Sequence, residues 1–539
     1  MSSSDRHPPN PPKLKSPPTK TNMAAMSILE AVGVAGKHAS PISSFTLLKN
    51  SSNPNHDQLP TKILRANTPH AAASIFGIFL LQFLSELWKI KHIPSAIPLP
   101  IVGHLYLPNA PLVMKFLAGM KRKYGPIFAF WSGNVPFVVV SDPKSVRQIL
   151  TDTRTFVKGS DYSNKFAIVF GEGLVTSNGD RHKKDRSCLG KYFVRSGVER
   201  YLGFMNAQTK SMIEEIIRPA INQPLDVQEF FHVLALRVFG KFCADHDYST
   251  DPLAGWINHE VSAGSNIIGE HIVLGLPVWD FIPRIKQLKK NVIKMHAHIE
   301  DIIQERLEKR KDPEYAEPED CMKACLDENL PRNEIYEHFT TLLSAGHDTT
   351  AFFGCYMAYM LAMHPDKQQK VKDEIKEVMG DRDEVTNVDV KKLKYLTNCM
   401  KETLRMYTVI PFVNRTTTTD VKLRDANVIL PKGTTALVPL CIMNRDRKVW
   451  ENPNEFCPER FENLEISDNS AKHGFLPFGY GSRTCIGNTL ALVEGAVMFT
   501  QLMRKIRFET VEGFKPKIAP GISLISKNGI KVRCVWEEE

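Results

Sequence analysis

The chain of 539 residues has no C-x-x-C and no C-x-x-C-H among its ten cysteines. Zinc-ribbon, thioredoxin-like and covalently attached C-x-x-C-H prosthetic-group sites therefore have no support. The cysteines are scattered, at 188, 243, 321, 325, 355, 399, 441, 457, 485 and 534. In a long chain that dispersal indicates a reducing compartment rather than a disulfide scaffold. A long uncharged run is also missing. The most apolar stretch, "AAASIFGIFLLQFLSELWKIK", is free of charge only over the fifteen residues Ala71–Ser85, short of the ~20 that a full membrane span needs. The net charge is +10, yet five of those charges belong to the first seventy residues, where eight Lys/Arg face three acids. A nucleic-acid binder would need a concentrated basic stripe with a recognition motif, and neither is there. No internal repeat occurs, which excludes solenoids and propellers.

What is present is a globular composition, 42% hydrophobic and 24% charged, in a chain long enough for a large core. Residues 1–69 are rich in Pro, Ser, Thr, Asn and Lys and read as a disordered or targeting leader. Residues 70–91 read as a membrane anchor, monotopic or spanning, with Trp88, Lys89 and Lys91 at the boundary. Residues 92–108, with prolines at 94, 98, 100 and 108, read as a stiff connector. Residues 109–539 follow as one large domain. "FVVVSD" (137–142) predicts a strand near its start, and helical patterns dominate from about 180 to about 410. "HPDKQQKVKDEIKEVMG" (364–380) is an amphipathic helix stopped by glycine. "NVILPKGTTALVPL" and "GISLISKNGIKVRCVW" are strand-like, and Asn528-Gly529 in the second signals a hairpin turn. The expected fold class is mainly α with minor β.

One stretch carries chemistry. "PFGYGSRTCIG" (477–487) sets a single cysteine among three glycines and an arginine, just before the apolar-periodic segment Asn488 to Arg504. Cys485 is thus placed at or before a helix N-terminus, where amide groups and the helix dipole favour a thiolate. Gly479, Gly481 and Gly487 remove side chains where a flat, soft-ligand cofactor could approach the backbone. Phe478, Gly481, Arg483, Cys485 and Gly487 form F-x-x-G-x-R-x-C-x-G, a pattern expected by chance in about one such chain in several thousand. It resembles the haem-thiolate loop of the cytochrome P450 superfamily. Three further motifs stand in that family's order: "AGHDTT" (345–350) in a long apolar helical run, "KETLR" with Glu402 and Arg405, and "NPNEFCPERF" with Arg460. An E-x-x-R alone says little, because solvated helix faces are full of such pairs; order and company give it weight. The resemblance covers residues 90–539 and is to the membrane-associated eukaryotic type.

The resemblance implies a single large domain with haem b held between a long oxygen-side helix and the cysteine loop. Cys485 would be the axial ligand of the iron, with Phe478 and Gly487 beside the cofactor. Arg483, Arg415, His182 and Arg186 would meet the propionates. Here the chain departs from many relatives, whose G-x-x-W-x-x-x-R becomes Gly179, His182 and Arg186; a histidine there could make haem binding pH-dependent. Asp348 and Thr349 would be the acid–alcohol pair that delivers protons, beside the small Ala345 and Gly346, which would leave room for dioxygen, with His347 in the core or at the surface. Glu402, Arg405 and Arg460 would be a structural charge triad. The implied reaction inserts one oxygen atom of O2 into a lipophilic small molecule (a sterol, fatty acid, terpenoid or xenobiotic) and releases the other as water. Electrons would come from NADPH through a flavoprotein reductase or a ferredoxin, attracted by Arg122, Lys183, Lys184 and Lys191. Substrate choice is expected from 164–174, 225–280 and 409–413. Sterol 14-demethylases usually carry histidine at the place of Asp348, which counts against that activity. The rivals are an isomerase or dehydratase of the same fold acting on oxygenated lipids without O2 or reductase, and a non-enzymatic haem or lipid carrier. The expected location is the endoplasmic-reticulum membrane, with plastid or mitochondrion as alternatives.

Overall fold

A computed structural model describes residues 68–107, 113–273, 276, 278–424, 426–462 and 474–537. All but the last two residues of the expected leader lie outside this set. From Pro69 to Glu539 the chain forms one compact unit.

The segment expected as an anchor is a helix, α1 (Thr68–Lys89). Among the described residues no helix is long and apolar enough to cross a membrane; Glu86 and Lys89 interrupt the apolar run of α1. Phe76, Ile78, Phe79, Leu81, Leu84 and Trp88 are exposed on α1, whereas Phe83 is buried against the Trp131 ring, with centroids 5.1 Å apart. The connector is not a free spacer. Asn134 accepts from the Ile101 amide at 2.7 Å and donates to the Phe79 carbonyl at 3.2 Å, and Ser95 and Gly103 bridge to Ala129 and Ser132. These contacts tie the connector to the domain that follows it, within the one unit Pro69–Glu539.

The main sheet has β1 (Ile127–Ser132), β2 (Val135–Val140), β3 (Phe156–Val157), β4 (Val413–Thr417) and β5 (Thr435–Val438) in the order β1-β2-β5-β4-β3. Only the β2–β5 pair is parallel. The Asn528-Gly529 turn does not make the expected hairpin. Leu524–Ser526 pairs with Ile518–Pro520, while Lys531–Trp536 pairs with Ile506–Thr510 and Pro224–Asp226. Gly529, at φ 75°, reverses the chain locally, but the strands on either side find partners in different sheets.

Helices fill the rest: α2 (Gly179–Gly190), α3 (Gln228–Ala244), α4 (Ala254–Val273), α5 (Pro283–Lys309), α6 (Arg332–Met363), α7 (Lys394–Met406) and α8 (Asn488–Lys505). Helix α6, 32 residues long, is buried along most of its length, as a helix apolar on nearly all sides must be. It lies close to α3 because Gly346 and Gly354 leave room for Phe239 and Phe231; a Cβ at either glycine would collide with those rings. The small size expected to make room at Gly346 is thus used for helix packing.

Candidate functional site

A cavity of about 410 Å³ lies between α6 and the 477–487 loop. One wall is Ala345, Gly346, Asp348 and Thr349; the other includes Phe478, Arg483, Cys485 and Gly487. The loop takes this shape because Gly479 and Gly481 adopt φ of 75° and 74°, values that side chains disfavour. A Cβ on Gly481 would also lie 2.6 Å from the Leu150 carbonyl oxygen. The Cys485 amide donates to the Phe478 carbonyl at 2.8 Å, and α8 begins three residues later with Gly487 at its cap. Cys485 is exposed, and it lines the cavity. Its side chain opens onto the cavity, yet the protein packed around it desolvates the thiol and pushes it up, against the pull of the Gly487 amide and Arg186. The helix terminus alone therefore does not make it a thiolate; a coordinated metal would, since metal-bound thiols are deprotonated outright.

On the rim, Lys158, Arg415 and Arg483 converge without a carboxylate partner among the described residues. Arg483 Nη2 donates to the Ser177 carbonyl at 2.5 Å, but its buried Nη1 has no partner. Arg415 Nη1 reaches only its neighbour's carbonyl, Asn414 O, at 2.7 Å. Burial and mutual repulsion drive Lys158 well below the usual lysine range and Arg483 down to about 10. His182 is pushed down to about 4 by burial and by Arg483 and Arg186. His182 and Arg186 sit on α2 next to this group but do not line the cavity. Cations left uncompensated at a pocket rim call for an anionic ligand. Lys158 and Tyr162, whose ring lies under the Lys158 ammonium at 3.7 Å, were missed by sequence reasoning. No local motif marks Lys158. The β3–β4 register, Val157 opposite Thr416, sets it beside Arg415.

On α6, Asp348 is buried and its carboxylate is held from three other elements. Ser262 of α4 donates to Oδ1, Ser523 to Oδ2 at 3.0 Å, and His232 Nε2 of α3 lies 3.5 Å from Oδ1. Burial raises its pKa, but His232 and Ser262 outweigh that and leave it below the usual carboxylate range. The Thr349 hydroxyl donates to the Ala345 carbonyl of its own helix at 2.7 Å. His347 is fully buried, with Nδ1 3.0 Å from the Leu343 carbonyl and Nε2 3.2 Å from Asn258 Oδ1; burial pushes it down to about 4, so it is neutral.

Behind the loop, Arg405 donates to both Glu402 oxygens at 2.7 and 2.8 Å, and Arg460 Nε to Oε1 at 3.0 Å. The Cys457 amide adds a fourth bond, and the remaining Arg405 donors reach the Asn444, Pro453 and Glu455 carbonyls. Of the expected substrate-facing segments, Phe166 and Phe170, Ser265 and Ile272, and Val409 and Phe412 line the cavity.

A lone cysteine facing an acid–alcohol helix across an apolar cavity, with unpaired cations on the rim, defines the haem-thiolate class. The residues fit a haem, because a dianion would supply what Arg483 Nη1 lacks. The cytochrome P450 family profile matches residues 93–532, and the chain belongs to that family. It is similar to cytochrome P450 4d2 of Drosophila melanogaster, 26% identical over 85% of this chain and 98% of that one. It is also similar to cytochrome P450 4V2 of Mus musculus, 27% identical over 86% and 94%. Cytochrome P450 734A1 of Arabidopsis thaliana is 26% identical over 80% and 83%. The protein is a haem-thiolate monooxygenase, of a family that uses O2 and electrons from a redox partner.

Proposed function

We propose that Cys485 ligates the iron of haem b and that Arg483, Arg415 and Lys158 hold its propionates, with His182 and Arg186 behind them. Bound there, the haem supplies the iron at which dioxygen is activated. The observation that carries this reading is one cavity shared by Cys485 and a cation cluster with no carboxylate. The chain's own residues do three things. The loop holds Cys485 at a fixed place below the cavity. The apolar walls, among them Phe170, Phe239, Phe353 and Phe412, exclude water and orient a lipophilic substrate. Asp348 and Thr349 pass protons toward the reacting oxygen, Asp348 by exchanging its serine partners for water.

Glu402, Arg405 and Arg460 hold the region behind the loop and take no part in chemistry. Electrons come from NADPH through a flavoprotein reductase or ferredoxin, to which exposed Arg122, Lys183, Lys184 and Lys191 present positive charge. The exposed apolar residues of α1, and exposed Trp279 and Phe281, suit contact with an endoplasmic-reticulum membrane surface, with the 1–69 leader preceding α1. The test is the CO difference spectrum of the reduced protein beside Cys485→Ala. A red-shifted Soret band in the parent alone is expected. The same band in both, or in neither when both are haem-loaded, removes Cys485 as ligand.

A further inference from the structure

Away from the cavity, three ligating side chains meet where the α3–α4 connection crosses α5. Helix α3 ends at Asp245 in a left-handed conformation, φ 51°, which turns the chain so that His246 and Asp251 face the same way. Helix α5 brings His298 to them. His246 Nε2 lies 2.6 Å and His298 Nε2 3.5 Å from the same oxygen, Asp251 Oδ2. All three ligand atoms fall within 4.8 Å of one another. The other Asp251 oxygen accepts the Leu253 amide at 2.7 Å, so a backbone bond fixes which oxygen is presented. The Tyr248 ring packs edge-on against His246, centroids 4.6 Å apart, and its hydroxyl lies 3.2 Å from His298 Nε2. The side chains of Asp251 and His298 are 6% and 5% exposed and that of His246 16%, so His246 is the member most open to solvent.

We propose that His246, Asp251 and His298 bind one divalent transition-metal ion of the zinc type. Ligand bonds of about 2.0–2.2 Å in a tetrahedron put neighbouring ligand atoms roughly 3.3 Å apart. The observed 2.6 and 3.5 Å bracket that spacing for the two histidine–carboxylate pairs, and binding places the His246 imidazole proton on Nδ1. Two imidazole nitrogens favour zinc-like ions over magnesium or calcium, which demand more oxygen ligands. The fourth position falls to water or the Tyr248 hydroxyl. The Leu253 amide and the Tyr248 ring hold the ligands from outside, as supporting groups do in metal sites. The ion would tie the α3–α4 connection to α5. Helix α4 also supplies Ser265, Gly269 and Ile272 to the cavity wall, so the ion would stiffen the roof over the substrate.

The test uses haem-loaded full-length protein stripped with EDTA and titrated with Zn2+ against a chromophoric chelator. His246→Gln and Asp251→Asn serve as controls, each required to show the parent's haem spectrum before zinc. One zinc per parent chain is expected, with at least tenfold weaker binding in both variants and a zinc-dependent rise in melting temperature in the parent alone. Equal zinc binding by parent and variants, or none by the parent, overturns the assignment.

Discussion

Two clusters of buried charge in this protein are built in opposite ways. In the Glu402–Arg405–Arg460 cluster, the carboxylate accepts from both arginines and an amide, and every remaining Arg405 donor reaches a carbonyl. In the Lys158–Arg415–Arg483 cluster no acid among the described residues answers three cations, and a buried guanidinium nitrogen is left without a partner. Charges taken out of water persist only when compensated. The first cluster is compensated by the chain itself and the second is not, which supports the proposal that the first serves the fold and the second holds an anionic ligand. The rims of binding pockets can be recognised by that imbalance even when no ligand is in view.

The sharpest way to break this contrast is Glu402→Ala. It strands two arginines with little water around them, and about 3–5 kcal/mol of stability is expected to go, read as a large drop in melting temperature and in yield of haem-loaded protein. Arg483→Ala should do the opposite to the empty chain. Removing one of three repelling cations leaves the stability of the haem-free protein unchanged or raised, while haem leaves about 10–100 times faster, as expected for one charge-assisted hydrogen bond. Transfer of haem to an acceptor globin measures that rate, and equal destabilisation of both forms would remove the distinction between the clusters.

The smallest effect concerns pH. His182 titrates at about 4 when folded, below its ordinary 6.5, so the unfolded chain binds more protons between those values. Its contribution to stability is therefore complete above about 6.5 and falls away as the pH drops toward about 4, by about 2 kcal/mol in the haem-free protein. In melting curves from pH 7 to 5 the parent should lose stability relative to His182→Asn as the pH falls. A bound dianion cancels the repulsion, so the haem-loaded protein should show less of this slope.

Where much of the candidate site lies was legible in advance. Cys485, Arg483, Asp348, Thr349 and the three residues of the charge triad were each marked by a short motif, and the cavity does bring the cysteine loop and the acid–alcohol helix face to face. The misses share a cause. Gly346 was read as room for a small ligand, but Phe239 takes that space. Asn528-Gly529 was read as a hairpin, but its flanking strands pair elsewhere. Lys158, Tyr162, His232, Ser262 and Ser523 carry no local signature at all.

What the sequence by itself determined is the set of residues whose chemistry depends on near neighbours. A thiol before a helix, glycines where φ must be positive, and an acid and an arginine one helical turn apart are all specified within a few positions. Only the tertiary structure decided which of these groups meet, and what charge each bears. Asp348 is held by residues 86 to 175 positions away, and Lys158 reaches Arg415 only through the pairing of two short strands. Such contacts follow from packing of whole elements against one core, and the burial that shifts Cys485 and His182, like the partners that outweigh burial at Asp348, exists only once that core has closed.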